Sequence, residues 1–140
     1  MTITTTGFAH IRLTVTDLVR SRAFYDQLFG WDVAYEVAAD ADEATKQALG
    51  FLFGGLIYAA PGGLVGLRPV APGGDAFDEN RVGLDHLALS VASRADLDAA
   101  VEALEALGAP HEQVKDLGQV LILEFRDPDG IALELSAPKV

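Results

Sequence analysis

The sequence predicts an α+β fold made of two βαβββ modules, and three observations carry that prediction. First, Phe8-Ala-His10-Ile-Arg-Leu-Thr-Val15 aligns without gaps on Leu84-Asp-His86-Leu-Ala-Leu-Ser-Val91 at an offset of 76 residues, an internal repeat. Second, both segments alternate bulky apolar residues with small or polar ones, the period of a half-buried strand. Third, each is followed by a capping residue, a helical run and a glycine stop.

The elements follow in order. After the first strand, Thr16 or Asp17 caps a helix over Leu18–Phe29, stopped by Gly30. Three strand-like segments come next, at roughly 31–38, 50–58 and 63–69. Between the first two, Asp40–Lys46 reads as an elaborated loop without a counterpart in the second half. A Gly- and Pro-bearing stretch at approximately 71–82 reads as a linker. It separates module 1, approximately 7–70, from module 2, approximately 83–137, within a single domain spanning 1–140. In module 2, Ser93 caps Arg94–Leu107, stopped by Gly108, and Leu97, Val101, Leu104 and Leu107 share one face. Strands follow at roughly 111–116, 119–126 and 130–136, with Asp127-Pro-Asp-Gly130 as the tight turn between the last two.

Composition narrows the function. The 140 residues are 50% hydrophobic and 22% charged, enough to bury roughly two thirds of the unfolded surface in one core. Ten Lys and Arg against 21 Asp and Glu give a net charge of −11, which disfavours nucleic acid and anionic membrane surfaces. The absence of cysteine removes disulfides, thiolate metal sites and thiol nucleophiles. The N-terminus lacks the pattern of a signal peptide, and no apolar run has the roughly 20 residues of a membrane span, so a cytoplasmic protein is expected.

Strand parity sorts the side chains. Ile11, Leu13 and Val15 share one face of the first strand, opposite His10, Arg12 and Thr14. Leu87, Leu89 and Val91 oppose His86, Ala88 and Ser90, and Ile131, Leu133 and Leu135 oppose Ala132, Glu134 and Ser136. The bulky faces suit the helices, while the second faces carry His10, His86 and Glu134. Two imidazoles and one carboxylate form a donor set for Fe(II), Zn(II), Mn(II), Ni(II) or Co(II). By repeat symmetry a fourth donor belongs near Gly66 or Arg68, where neither residue can supply one. The competing reading is a polar cluster that holds no metal. His111 has no repeat mate and reads as a surface or rim residue.

The chain resembles the vicinal oxygen chelate superfamily, which includes glyoxalase I, extradiol dioxygenases, fosfomycin-resistance enzymes and bleomycin-resistance proteins. The carriers of the resemblance are Ala9–Asp17, Ser21–Tyr25, Leu28–Trp31, Gly83–Val91 and Phe125–Leu135. It implies modules whose sheets curl into an open, barrel-like surface around one site. It also implies metal donors at His10, the Gly66–Arg68 region, His86 and Glu134, and a homodimer in which modules pair across a two-fold axis. The run Gly66-Leu-Arg-Pro69 departs from the pattern, leaving a three-donor site. Arg68 then has two expected roles: an ion pair with Glu134 in a metal-free pocket, or an anchor for a substrate carboxylate, phosphate or enolate.

Two functions are weighed. The first is a metal-dependent lyase, isomerase or dioxygenase that chelates vicinal oxygens of a small molecule, with Glu134 and Arg68 in the catalytic site and Glu124 as a candidate base. The alternative is a metal-free protein of the drug- or antibiotic-binding type. There Trp31, Tyr35, Phe51, Phe53 and Tyr58 would offer stacking surfaces, although most of these aromatics are expected in the core.

Overall fold

The computed structural model describes residues 1–140. In chain order the elements are β1 (His10–Thr14), α1 (Leu18–Phe29), β2 (Asp32–Glu36), α2 (Glu43–Ala48), β3 (Leu56–Ala60) and β4 (Gly63–Arg68). They continue with β5 (Leu87–Ser90), α3 (Arg94–Leu107), β6 (Lys115–Asp116), β7 (Val120–Arg126) and β8 (Ala132–Pro138). Two unclosed four-stranded sheets result, ordered β1-β4-β3-β2 and β5-β8-β7-β6. In each, the first strand lies parallel to the last and the other neighbours are antiparallel. The repeat extends to register: Ile11 pairs with Val65 as Leu87 pairs with Leu133.

Local chemistry sets the helix ends. Asp17 accepts from Arg20 N–H and Ser93 from Asp96 N–H, satisfying donors that lack an intrahelical partner. Gly30 and Gly108 end the helices in the left-handed region at φ 62° and 65°. The helices bury Phe24, Tyr25, Leu97 and Leu104 against the bulky strand faces, in one core that draws Leu13, Val15 and Leu67 from one half and Leu123, Leu133 and Leu135 from the other. Each such Leu or Phe contributes about 1.5–3 kcal/mol relative to exposure. Because the bulky faces turn toward the helices, the polar faces of both sheets turn outward.

The Asp127–Gly130 turn does more than reverse the chain, because its two buried carboxylates latch the halves together. Asp129 accepts from Thr16 N–H (2.9 Å), the Thr16 hydroxyl and Arg20 Nη2 (2.8 Å), and Asp127 accepts from the Tyr25 hydroxyl (2.9 Å).

The structure corrects the expected elements in three places. The 40–46 loop contains α2, capped by Asp42 accepting from Thr45 N–H at 2.7 Å. The strand expected at 50–58 opens instead as a single 3₁₀ turn, Gly50–Leu52, and pairing starts only at Leu56. Gly54 (φ 81°) and Gly55 enforce the delay: a Cβ at 55 would sit 1.9 Å from the Leu67 carbonyl oxygen. The segment expected at 111–116 pairs only over Lys115–Asp116, with His111 making an isolated bridge to Phe125.

Candidate active site

Parity on β5 and β8 determines what the C-terminal sheet presents. Leu133 and Leu135 face the core at 2% and 4% exposure, so Glu134 between them faces outward beside Ala88. Glu124 pairs directly with Glu134, which places it on the same face. His86, immediately before β5, completes the group: its Nε2 lies 3.6 Å from Glu134 Oε2. Its Nδ1 lies 2.6 Å from Asp85 Oδ1, so Nδ1–H donates to that carboxylate and Nε2 is turned toward Glu134. The hydrogen bond to Asp85, reinforced by the charge of Glu134, raises the His86 pKa.

The surroundings are strongly polar. Lys115 Nζ holds Glu124 Oε2 at 2.6 Å. Arg126 forks onto Glu79 at 2.6 and 3.1 Å and reaches the Gly130 carbonyl at 3.0 Å. That fork holds the Glu79 carboxyl down at about 2. The residues enclose a cleft of about 100 Å³ whose walls include Asp85, His86, Glu124 and Glu134. Ligand sites usually enclose about 300–1,000 Å³, so this cleft is a fraction of one.

The N-terminal sheet presents the repeat-related face. His10 is exposed at the start of β1, and Arg12 lies opposite Gly66. Arg12 donates to the Phe51 and Leu52 carbonyls at 2.9 and 3.1 Å. Gly66 makes that route possible, since a Cβ there would meet Arg12 Cγ at 2.8 Å. Arg68 does not pair with Glu134; its guanidinium carbon lies 4.1 Å from the centroid of the Phe53 ring. The aromatics divide differently from expectation: Tyr58 is buried, whereas Tyr35 on β2 and Phe51 and Phe53 ahead of β3 are about half exposed.

Of the three expected donors, the chain brings His86 and Glu134 together and leaves His10 on the other sheet; no three His, Asp or Glu side chains gather around one point. The pair fits a divalent ion. Two donors each about 2.1 Å from one ion stand roughly 3–3.6 Å apart, and the observed separation is 3.6 Å. Asp85 stands behind the imidazole, where an outer carboxylate would fix its orientation if Nε2 held an ion.

Asp85 and Arg12 escaped the sequence reading as site residues, although each carried a signal: one precedes His86, and the other shares the His10 face. Glu79 and Arg126 carried none, since their meeting depends on how the linker folds.

Comparison with known proteins matches residues 7–135 to the Glyoxalase/Bleomycin resistance protein/Dioxygenase superfamily. A protein of Escherichia coli K12, YaeR, itself uncharacterized, is 33% identical over 128 residues, covering 90% of this chain and 92% of that one. A glyoxylase/bleomycin resistance protein/dioxygenase domain from Frankia sp. EAN1pec superposes with a TM-score of 0.77 at 32% identity, over 97% of this chain and 100% of that one. The fosfomycin resistance protein FosX of Listeria monocytogenes shares the fold at a TM-score of 0.71 and 22% identity, over 98% and 97%.

Proposed function

Because the chain belongs to the glyoxalase/bleomycin resistance protein/dioxygenase superfamily, we propose that it is a metal-dependent enzyme acting on a small molecule through two adjacent oxygens, in a lyase, isomerase or dioxygenase reaction. The observation that carries the proposal is the His86–Glu134 pair with Asp85 behind it. In this reading His86 Nε2, Glu134 and His10 hold the ion, with His10 coming from a second copy of the chain. The Listeria protein of the same fold has a structure complexed with Mn(II) and sulfate ion.

The exposed polar faces support the second copy. β1 and β5 are edge strands, each with a free hydrogen-bonding side. Just ahead of them, Phe8 and Val82 are fully exposed. A face carrying His10, laid against the face carrying His86 and Glu134, would complete the donor set and enlarge the cleft. This arrangement is a homodimer with two equivalent sites.

A bound divalent ion supplies Lewis acidity that stabilises charge developing on the chelated oxygens. The protein's own groups do the rest. Asp85 holds the His86 tautomer, so that Nε2 and not Nδ1 faces the ligand. Glu124 Oε1, the oxygen not taken by Lys115, serves as the base that receives a proton from the substrate, while Lys115 holds the carboxylate in place. Arg126, fixed by Glu79 and Gly130, forms a rigid wall.

One observation favours the metal-free alternative: Arg12 crosses Gly66, where a fourth donor would stand. Elemental mass spectrometry of protein loaded with Fe(II), Mn(II), Ni(II) or Zn(II) separates the two readings. Near-stoichiometric metal that disappears in His86→Ala supports the enzyme. A protein that takes up none of the four while staying folded is the metal-free binder.

A further inference from the structure

Charge pairing across the molecule singles out two residues. The chain has ten Lys and Arg among 21 Asp and Glu. Eight of the ten meet a carboxylate: Arg20, Arg22, Lys46, Arg81, Arg94, Lys115, Arg126 and Lys139. The two left over are Arg12 and Arg68, and both stand on the polar face shared by β1 and β4, with Gly66 beside each. In so acidic a protein, two adjacent uncompensated guanidiniums mark a local reversal of sign.

Their setting is built rather than incidental. Both lie against residues 51–53: Arg12 donates to the Phe51 and Leu52 carbonyls, and Arg68 rests on the Phe53 ring. Phe53 is the one non-glycine residue with positive φ, at 51°, a conformation unfavourable for a bulky side chain. Backbone strain of that kind concentrates where a side chain must be held for binding. The Nε of each arginine is also buried without a hydrogen-bond partner, a cost the fold leaves unrelieved. Carbonyls fix Arg12 without neutralising it, and an aromatic face supports Arg68 while leaving its edge of donors free.

We infer that Arg68 and Arg12 form an oxyanion subsite, and that the ligand of this protein is a small anion bearing a carboxylate or a phosphate-type group. The inference rests on the reading of the β1–β4 face as one wall of the ligand site, and it names the substrate class for that site. Arg68 contacts the oxyanion through its planar fork, and Arg12, whose side chain lies across Gly66, adds fixed positive charge. The ligand's adjacent oxygens are then directed to the opposite wall, where His86 and Glu134 stand.

The test uses metal-free full-length protein, so that failure of the metal reading leaves it intact. Arginine Nε–H signals are followed by NMR during titration with inorganic phosphate, with lactate, and with neutral lactamide. Saturable shifts at Arg12 and Arg68 with phosphate or lactate, and none with lactamide, are expected; whichever anion responds identifies the oxyanion. Arg68→Gln should weaken binding by about tenfold or more, and Phe53→Leu, which keeps the charge, by less. Anion shifts at Arg12 and Arg68 in a protein that takes up no metal overturn only the preceding reading, and metal uptake without anion shifts overturns only this one. No saturable shift with either anion, an equal response to lactamide, or undiminished binding in Arg68→Gln would overturn it.

Discussion

Arg12 and Gly66 are complementary residues, one providing the bulk that the other lacks. Gly66→Ala would set a methyl 2.8 Å from Arg12 Cγ, in a paired strand where the backbone cannot yield. A loss of about 1–3 kcal/mol is expected in chemical denaturation, together with release of Arg12 from the Phe51 carbonyl. Glu79 supplies a pH prediction. Its folded pKa of about 2 lies below the roughly 4.3 of an unfolded glutamate, so between those values the unfolded state binds more protons. The stabilising contribution is therefore present above about pH 4.3 and is lost as pH falls through that window toward 2. Arg126→Gln should return the Glu79 midpoint, read by carbon-detected NMR, toward 4.3; a midpoint that stays near 2 would show that Arg126 is not the cause.

Among the elements, the Asp127–Gly130 turn has the largest structural role for its size. Asp129→Ala leaves Thr16 N–H without its acceptor and frees Arg20, and an expected cost of about 2–3 kcal/mol should appear in thermal or denaturant unfolding. The sequence showed this segment as a turn but not as a latch, because its partners Thr16, Arg20 and Tyr25 lie more than 100 residues away. What was legible was what depends on neighbours: the alternation in β1, β5 and β8, the caps at Asp17 and Ser93, and the stops at Gly30 and Gly108. The face carrying His86 and Glu134 followed from parity alone. The late start of β3 was hidden, because Phe51-Leu-Phe53 reads as strand until Gly54 and Gly55 are seen to delay pairing. Gly7 and Gly83, at the expected starts of the two modules, share the same backbone conformation at φ 144°, so the repeat holds in the backbone as well as in the side chains.

For the whole molecule, the distribution of chemistry between two outward faces is the ground on which we propose a second copy. One face carries His10 and two unpaired arginines; the other carries His86, Glu134 and Glu124. Sedimentation should return twice the chain's 14.8 kDa, and a monomer at micromolar concentration would argue against a shared site. The most direct measurement is metal stoichiometry in a refolded equimolar mixture of His10→Ala and His86→Ala chains. If each site takes His10 from one copy and His86 with Glu134 from the other, half of the dimers are mixed and each keeps one intact site of two. The mixture then binds about one quarter of the native metal, while each variant alone binds almost none. A mixture that binds no more than the separate variants, beside a native protein that binds a full equivalent, would contradict a site shared between copies.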